Sequence, residues 1–220
     1  ISPYAYCNNN PLKYIDLHGD SLNVASSEDQ ETILDICSHV FGEKAKHFYF
    51  NNNNLRLDCS KREFMSGLNK DQRKLFKGLI KPMYSNIIFY IIYTSSYVDA
   101  YGSECDINSF YGGGVTNPSE RTIYLSPKIS GGEVILPDGI SKSYISQNLE
   151  SVFFHEIGEL NCKWVGRGAV IDYENYARHI LNMQERPYDY GHTYQWEPKT
   201  GGGIFDYFMR KRDIVEMWQK

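Results

Sequence analysis

The chain has no surplus of positive charge: 23 Lys and Arg stand against 27 Asp and Glu, a formal net charge of −4. Gripping a phosphate backbone wants a basic patch, so nucleic-acid binding is not expected as its main purpose. Long apolar runs are missing too. The most apolar stretch, IIFYIIY at 87–93, is far shorter than the roughly 20 residues a membrane-spanning helix needs. Its β-branched and aromatic composition predicts a buried strand instead. Cysteines are few, odd in number and scattered (Cys7, Cys37, Cys59, Cys105 and Cys162), with no C-x-x-C pair. Neither a thiolate zinc site nor a disulfide framework is signalled, and most are expected to be small buried hydrophobes. No repeat or low-complexity tract appears beyond Asn51–Asn54. No secretory signal pattern is visible, and Ile1 is not a natural start, so the sequence is expected to be part of a longer chain.

What is present will fill a core. Hydrophobic residues make up 41% of the 220 residues and aromatics 15%, which argues against global disorder and for one good-sized domain, or a small one with an attachment. Ser27-x-x-Gln30 has the spacing of a capping box, and apolar Ile33, Leu34, Cys37, Val40 and Phe41 follow at helical spacing. HFYF and LRLDC flank the asparagine tract as a hairpin. Ser60-x-x-Glu63 opens another helical stretch, broken near Gly67–Asn69 and running to about Leu79. Strands are expected at 86–94, 121–126 and 133–137, and helices at about 144–163, 169–184 and 204–218. Mixed elements followed by helices indicate an α+β fold.

The stretch SVFFHEIGEL, residues 151–160, carries the chemistry. His155 and Glu156 open an H-E-x-x-H pattern, in which the i and i+4 side chains hold zinc and the intervening glutamate acts as base. Here Glu159 stands where the second histidine is expected. At about 100° per residue, Ile145, Leu149, Val152, Phe153 and Leu160 define an apolar arc; Glu156 and Glu159 fall inside it and His155 at its edge. A buried carboxylate needs a partner, and a metal ion supplies one. Glu159 is an acceptable ligand because carboxylate oxygen binds zinc, though the harder donor set also admits manganese or iron. On the next helix, Glu174 and Arg178 share the apolar arc of Val170, Ile171, Ala177, Ile180 and Leu181, whereas Asp172, Asn175 and His179 face away. Glu174 is therefore the expected third ligand, ahead of Asp172 and His179, with Arg178 orienting it one turn on. The plainer readings are an ordinary structural helix and a self-contained Glu174–Arg178 ion pair. His192, in YGHTYQW, is a candidate proton donor or transition-state stabiliser; His18, His39 and His47 are expected to be structural or exposed. Gly112–Gly114 lacks the lysine of a phosphate loop, and Gly201–Gly203 reads as a hinge.

Two family resemblances follow from particular residues. Tyr4, Tyr6, Asn9, Asn10, Pro11, Tyr14, Asp16 and Gly19 resemble the end of an Rhs-repeat-associated core domain, with Leu17 in place of its usual proline. That implies a boundary near residue 20, with 1–20 the core's tail and 21–220 a variable effector. Residues 112–189 resemble the zincin-like metallopeptidase domains that follow such cores: GGGVTNPSERTIYLS, then HEIGE, then Glu174-Asn175-Tyr176-Ala177-Arg178, then Arg186-Pro187-Tyr188. The resemblance implies a secreted or surface-delivered metallopeptidase toxin, a protein or peptide substrate and a cognate immunity protein. His155, Glu159 and Glu174 would hold zinc, with Glu156 as general base. The competing expectations are a partner-binding module on the same scaffold without metal and a nuclease or deaminase toxin. The last is disfavoured by acidic charge and by the absence of an H-x-E…C-x-x-C pattern.

Overall fold

A computed structural model of the protein describes residues 21–85, 87–99, 102–108, 112–117, 120–161 and 167–188. The Rhs-like segment 1–20, the helix expected at 204–218, and His192 lie outside the described residues.

The order of elements begins with β1 (Ser21–Asn23), α1 (Ser27–Phe41), a short 3-10 helix (Gly42–His47), β2 (Phe48–Asn51) and β3 (Asn54–Leu57). Next come α2 (Lys61–Met65), α3 (Lys70–Met83), β4 (Ile88–Tyr93), β5 (Ser96–Val98) and β6 (Glu104–Asp106). β7 (Gly114–Asn117), β8 (Thr122–Leu125), β9 (Gly132–Ile135), β10 (Lys142–Ile145), α4 (Leu149–Asn161) and α5 (Arg167–Ile180) complete the described chain. Six strands form one mixed sheet in the order β2-β3-β1-β4-β8-β7. β4 runs parallel to both its neighbours, β1 and β8, and the outer pairs are antiparallel. Two hairpins, β5–β6 and β9–β10, stand apart from it. The class is α+β, as expected.

Local chemistry explains most boundaries. Asn52 and Asn53 both take positive φ, 48° and 64°, the backbone that a two-residue hairpin turn demands and that asparagine tolerates. α1 is capped by Ser26, whose hydroxyl accepts from the Asp29 amide at 3.4 Å. The cap therefore lies one residue before the expected Ser27, because Gln30 is spent elsewhere, donating to the Val24 carbonyl at 2.8 Å. The break before α3 is a complete capping box between Asn69 and Gln72. α4 starts at Leu149, later than expected. Residues 142–145 are a strand, and Asn148 and Ser151 exchange backbone and side-chain hydrogen bonds at 2.9 and 3.2 Å to start the helix.

Helices α1, α3 and α4 cover one sheet face. Their aromatic centre holds Phe41, Phe48, Phe64, Phe76 and Phe154, with the Phe64 and Phe76 rings stacked at 4.3 Å. The opposite face corrects the expectation of a fully buried strand at 87–93. Ile91 is buried, but Ile88, Tyr90 and Ile92 are 38%, 43% and 42% exposed. Successive side chains alternate faces, and only one face of this strand is packed against the core. α4 is enclosed along its length: every residue from Ser151 to Gly158 is buried. Gly158 allows α5 to come close, since a Cβ there would sit 3.2 Å from Tyr173 Cδ1. Tyr173 in turn reaches across Gly78 of α3 and donates to the Leu75 carbonyl at 2.5 Å.

Candidate functional site

The site is assembled where α4, α5 and the sheet-edge strand β7 meet. His155 and Glu156 are both buried, and so are Glu174, Arg178 and Arg186. The helical phases expected for His155, Glu156, Glu174 and Arg178 are therefore observed, Glu159 is only partly buried, and Asp172 and His179 lie on the outer face of α5. There Asp172 accepts from the Tyr188 hydroxyl, while His179 bonds Glu185 and Asp71. An open cleft on that outer face, between α5, Leu136–Pro137 and Glu185–Tyr188, touches the buried cluster through Arg186.

Glu174 is fully buried, and its carboxylate is gripped by three groups. Arg178 Nε donates to Oε1 at 2.7 Å; Arg186 donates to Oε2 at 2.8 Å; and His155 Nδ1 meets Oε2 at 2.9 Å. Glu174 was expected as a third metal ligand; in the structure its carboxylate binds two guanidiniums and the His155 ring, and the two arginines supply the counter-charge that its burial requires. The plain ion pair foreseen with Arg178 is present, but it is one part of a larger device. Among the described residues, His155, Glu159 and Glu174 do not meet as a three-donor group; the one set whose donor atoms all lie within 4.8 Å is His47, Asp58 and Cys59.

Arg186 is the residue to which the sequence reading gave no role. The chain leaves α5 through Asn182 at φ 54°, with the Met183 amide donating to the Arg178 carbonyl at 2.8 Å, and turns back along the helix. Asn175 then clamps the returning strand on both sides: its side chain donates to the Arg186 carbonyl at 2.9 Å and accepts from the Arg186 amide at 2.8 Å. Arg178 fixes the same segment, donating to the Gln184 carbonyl at 3.1 Å and to Ser146 ahead of α4 at 2.9 Å. The spacing Glu174-Asn175-x-x-Arg178…Arg186 is thus a physical unit that aims one guanidinium at one carboxylate. The sequence displayed every member; what it did not display was the turn at Asn182.

The electrostatics are mutual. Burial alone would push the Glu174 carboxyl up, but Arg186, the His155 hydrogen bond and Arg178 outweigh it and hold it below the usual carboxylate range. Burial pulls His155 down and Arg186 opposes its charge, but the hydrogen bond to Glu174 together with the negative charges of Glu174 and Glu156 outweighs both, so its pKa is raised. With Nδ1 committed to Glu174, the other ring nitrogen, Nε2, faces Glu159 Oε1 at 4.0 Å.

That pair suits a zinc-type ion. Two donors about 2.1 Å from a tetrahedral ion lie roughly 3.4 Å apart, so a small rotation of Glu159 closes the difference. A ligating histidine characteristically has its second nitrogen bound to a carboxylate, as Glu174 binds His155. Glu156, next in the chain after His155, reaches β7, where the Thr116 hydroxyl donates to its Oε2 at 2.6 Å. Gly114 permits that approach: a Cβ there would stand 2.8 Å from Glu156 Oε1 and 2.6 Å from Val152 Cγ1. Thr116, like Arg186, had no role in the sequence reading, because pairing a strand hydroxyl with a helix carboxylate takes tertiary contact. Comparison of the chain with protein-family models, with curated proteins and with solved structures finds no match in any of the three.

Proposed function

We propose that residues from about 21 onward form a zincin-like, metal-dependent peptidase domain, the toxic effector of a larger Rhs-type protein delivered to the cell surface or secreted. In this reading His155 and Glu159 hold zinc, with manganese or iron as alternatives, and Glu156 is the general base. Glu174 keeps the proton of His155 on Nδ1, and Arg178 and Arg186 keep Glu174 ionised. The observation that carries the reading is the divided histidine, anchored through one nitrogen on a buried carboxylate and presenting the other to Glu159 at 4.0 Å.

When bound, such an ion supplies Lewis-acid activation of a carbonyl and of water. Glu156, its carboxylate fixed by Thr116, takes the proton of the attacking water and passes it to the leaving amine. A peptide is favoured as substrate by β7. This strand ends the sheet, carries no partner on its outer side among the described residues, and packs against α4 beside Glu156. An extended peptide can add to such an edge through backbone hydrogen bonds. No described helix is long and apolar enough to cross a membrane.

The test is zinc-loaded protein incubated with an unfolded polypeptide. Cleavage by wild type, with Glu156→Gln slower by about 10²–10⁴-fold at unchanged metal content, supports the proposal; equal activity in the two proteins contradicts it. One observation favours a second reading, a metal-free module that binds a partner protein: the charge of Glu174 is already neutralised by two arginines. That reading predicts neither cleavage nor any zinc uptake that depends on His155, and toxicity indifferent to Glu156→Gln.

A further inference from the structure

We infer that the base of the β2–β3 hairpin is a second metal site, taking a thiophilic divalent cation of the zinc type through His47, Asp58 and Cys59. One donor atom from each of these side chains lies within 4.8 Å of the other two. The hairpin register produces this grouping. Phe48 pairs with Leu57 as the last rung within the strands, and the Asp58 amide continues the ladder by donating to the His47 carbonyl at 3.0 Å. His47 and Asp58 therefore stand opposite one another across the ladder, and Cys59 follows directly.

The donors are held in place before any ion arrives. His47 Nδ1 lies 2.7 Å from Asp58 Oδ1, and its ring packs edge-on against Phe64 with centroids 6.3 Å apart. Phe64 belongs to α2, whose capping residue Ser60 immediately follows Cys59. Acidic groups flank the position, Asp58 directly before Cys59 and Glu63 in the first turn of α2. Lys44 is drawn to the Glu63 carbonyl at 3.4 Å.

The donor set selects the ion. One nitrogen, one carboxylate oxygen and one thiolate suit zinc and cobalt(II), and do not suit magnesium or calcium, which take oxygen. Binding replaces the thiol proton of Cys59, which passes to solvent, by a sulfur–metal bond, and opens the 2.7 Å hydrogen bond between His47 Nδ1 and Asp58, the ring proton being carried on Nε2 instead. Asp58 is 57% exposed and His47 21%, so water can reach the remaining coordination position. The site lies on elements separate from α4 and α5 and does not depend on the peptidase proposal. Its consequence is a tie between the two sides of the hairpin base at the edge of the sheet.

Cobalt(II) alone, titrated into the full chain, tests it. A thiolate-to-cobalt charge-transfer band in the near ultraviolet, saturating at one equivalent, is expected in wild type and in His155→Ala. Cys59→Ser should abolish the band, and His47→Ala should weaken binding by more than the roughly 10–100-fold that loss of a merely supporting group costs, both with unchanged circular dichroism. No band in wild type overturns the proposal. So does a band that survives Cys59→Ser, or one that His47→Ala leaves at wild-type affinity.

Discussion

Replacing Arg186 by Met keeps most of the side chain's volume and removes its charge. Two consequences follow from the geometry. First, Glu174 loses the 2.8 Å charge-assisted bond to its Oε2 while remaining fully buried, with only Arg178 and His155 to balance it. Breaking a buried pair from one side costs about 3–5 kcal/mol. At about 2–4 °C per kcal/mol for a chain of this size, the melting temperature should fall by roughly 6–20 °C. Second, the pH profile should change. The folded pKa of Glu174 is depressed, chiefly by Arg186 acting against burial. Its contribution to stability is therefore complete above the unfolded value near 4.3 and lost as pH falls below that toward the folded value. Without Arg186 the folded pKa moves up toward the unfolded one, so stability near neutral pH drops and its decline on acidification becomes shallower. Urea denaturation followed by circular dichroism between pH 3 and 7 measures both. A loss below about 1 kcal/mol at pH 7, or an acid limb parallel to that of wild type, would refute the assignment of Arg186 as the main counter-charge of Glu174. Arg186→Lys should recover only part of the loss, since an ammonium cannot reproduce the placement of a guanidinium clamped by Asn175.

Three smaller predictions address the scaffold. Gly114→Ala forces a methyl against Val152 Cγ1 and Glu156 and should cost about 1–3 kcal/mol, read by thermal denaturation, while peptidase activity falls further than the lost folded fraction explains. The Tyr93 hydroxyl is buried without a hydrogen-bond partner among the described residues, so Tyr93→Phe should be neutral or stabilising by up to about 1–3 kcal/mol; clear destabilisation would show that the hydroxyl is satisfied. Asn148→Ala removes the side-chain cap of α4 and should cost about 1 kcal/mol, measured as a shift in the urea midpoint at unchanged slope.

How far the sequence led depends on the range of the interaction. Elements governed by neighbours were legible. The asparagine tract made a hairpin turn, Ser60 capped α2, and the helical phase of Glu156, Glu174 and Arg178 was buried as the apolar arcs required. Boundaries slipped where a side chain had a distant use: Gln30 was drawn to the Val24 carbonyl rather than closing a box with Ser27. The surroundings of Glu174 were not legible for a related reason. Helix phase shows that a carboxylate is buried, but not which cations reach it, and the decisive one, Arg186, arrives by a chain reversal whose pivot is Asn182. β4 was taken as fully buried because IIFYIIY is apolar on both of its alternating sets, while the fold packs only one of them.

If His155 and Glu159 hold an ion, the metal content of the purified protein records it. In a Cys59→Ser background, which removes the thiolate of the hairpin site, zinc-loaded and desalted protein should retain one equivalent by elemental analysis. That equivalent should disappear in His155→Ala and fall sharply in Glu159→Ala. Retention of the same zinc by His155→Ala, or no zinc in the parent protein while it remains folded, would contradict the proposed site.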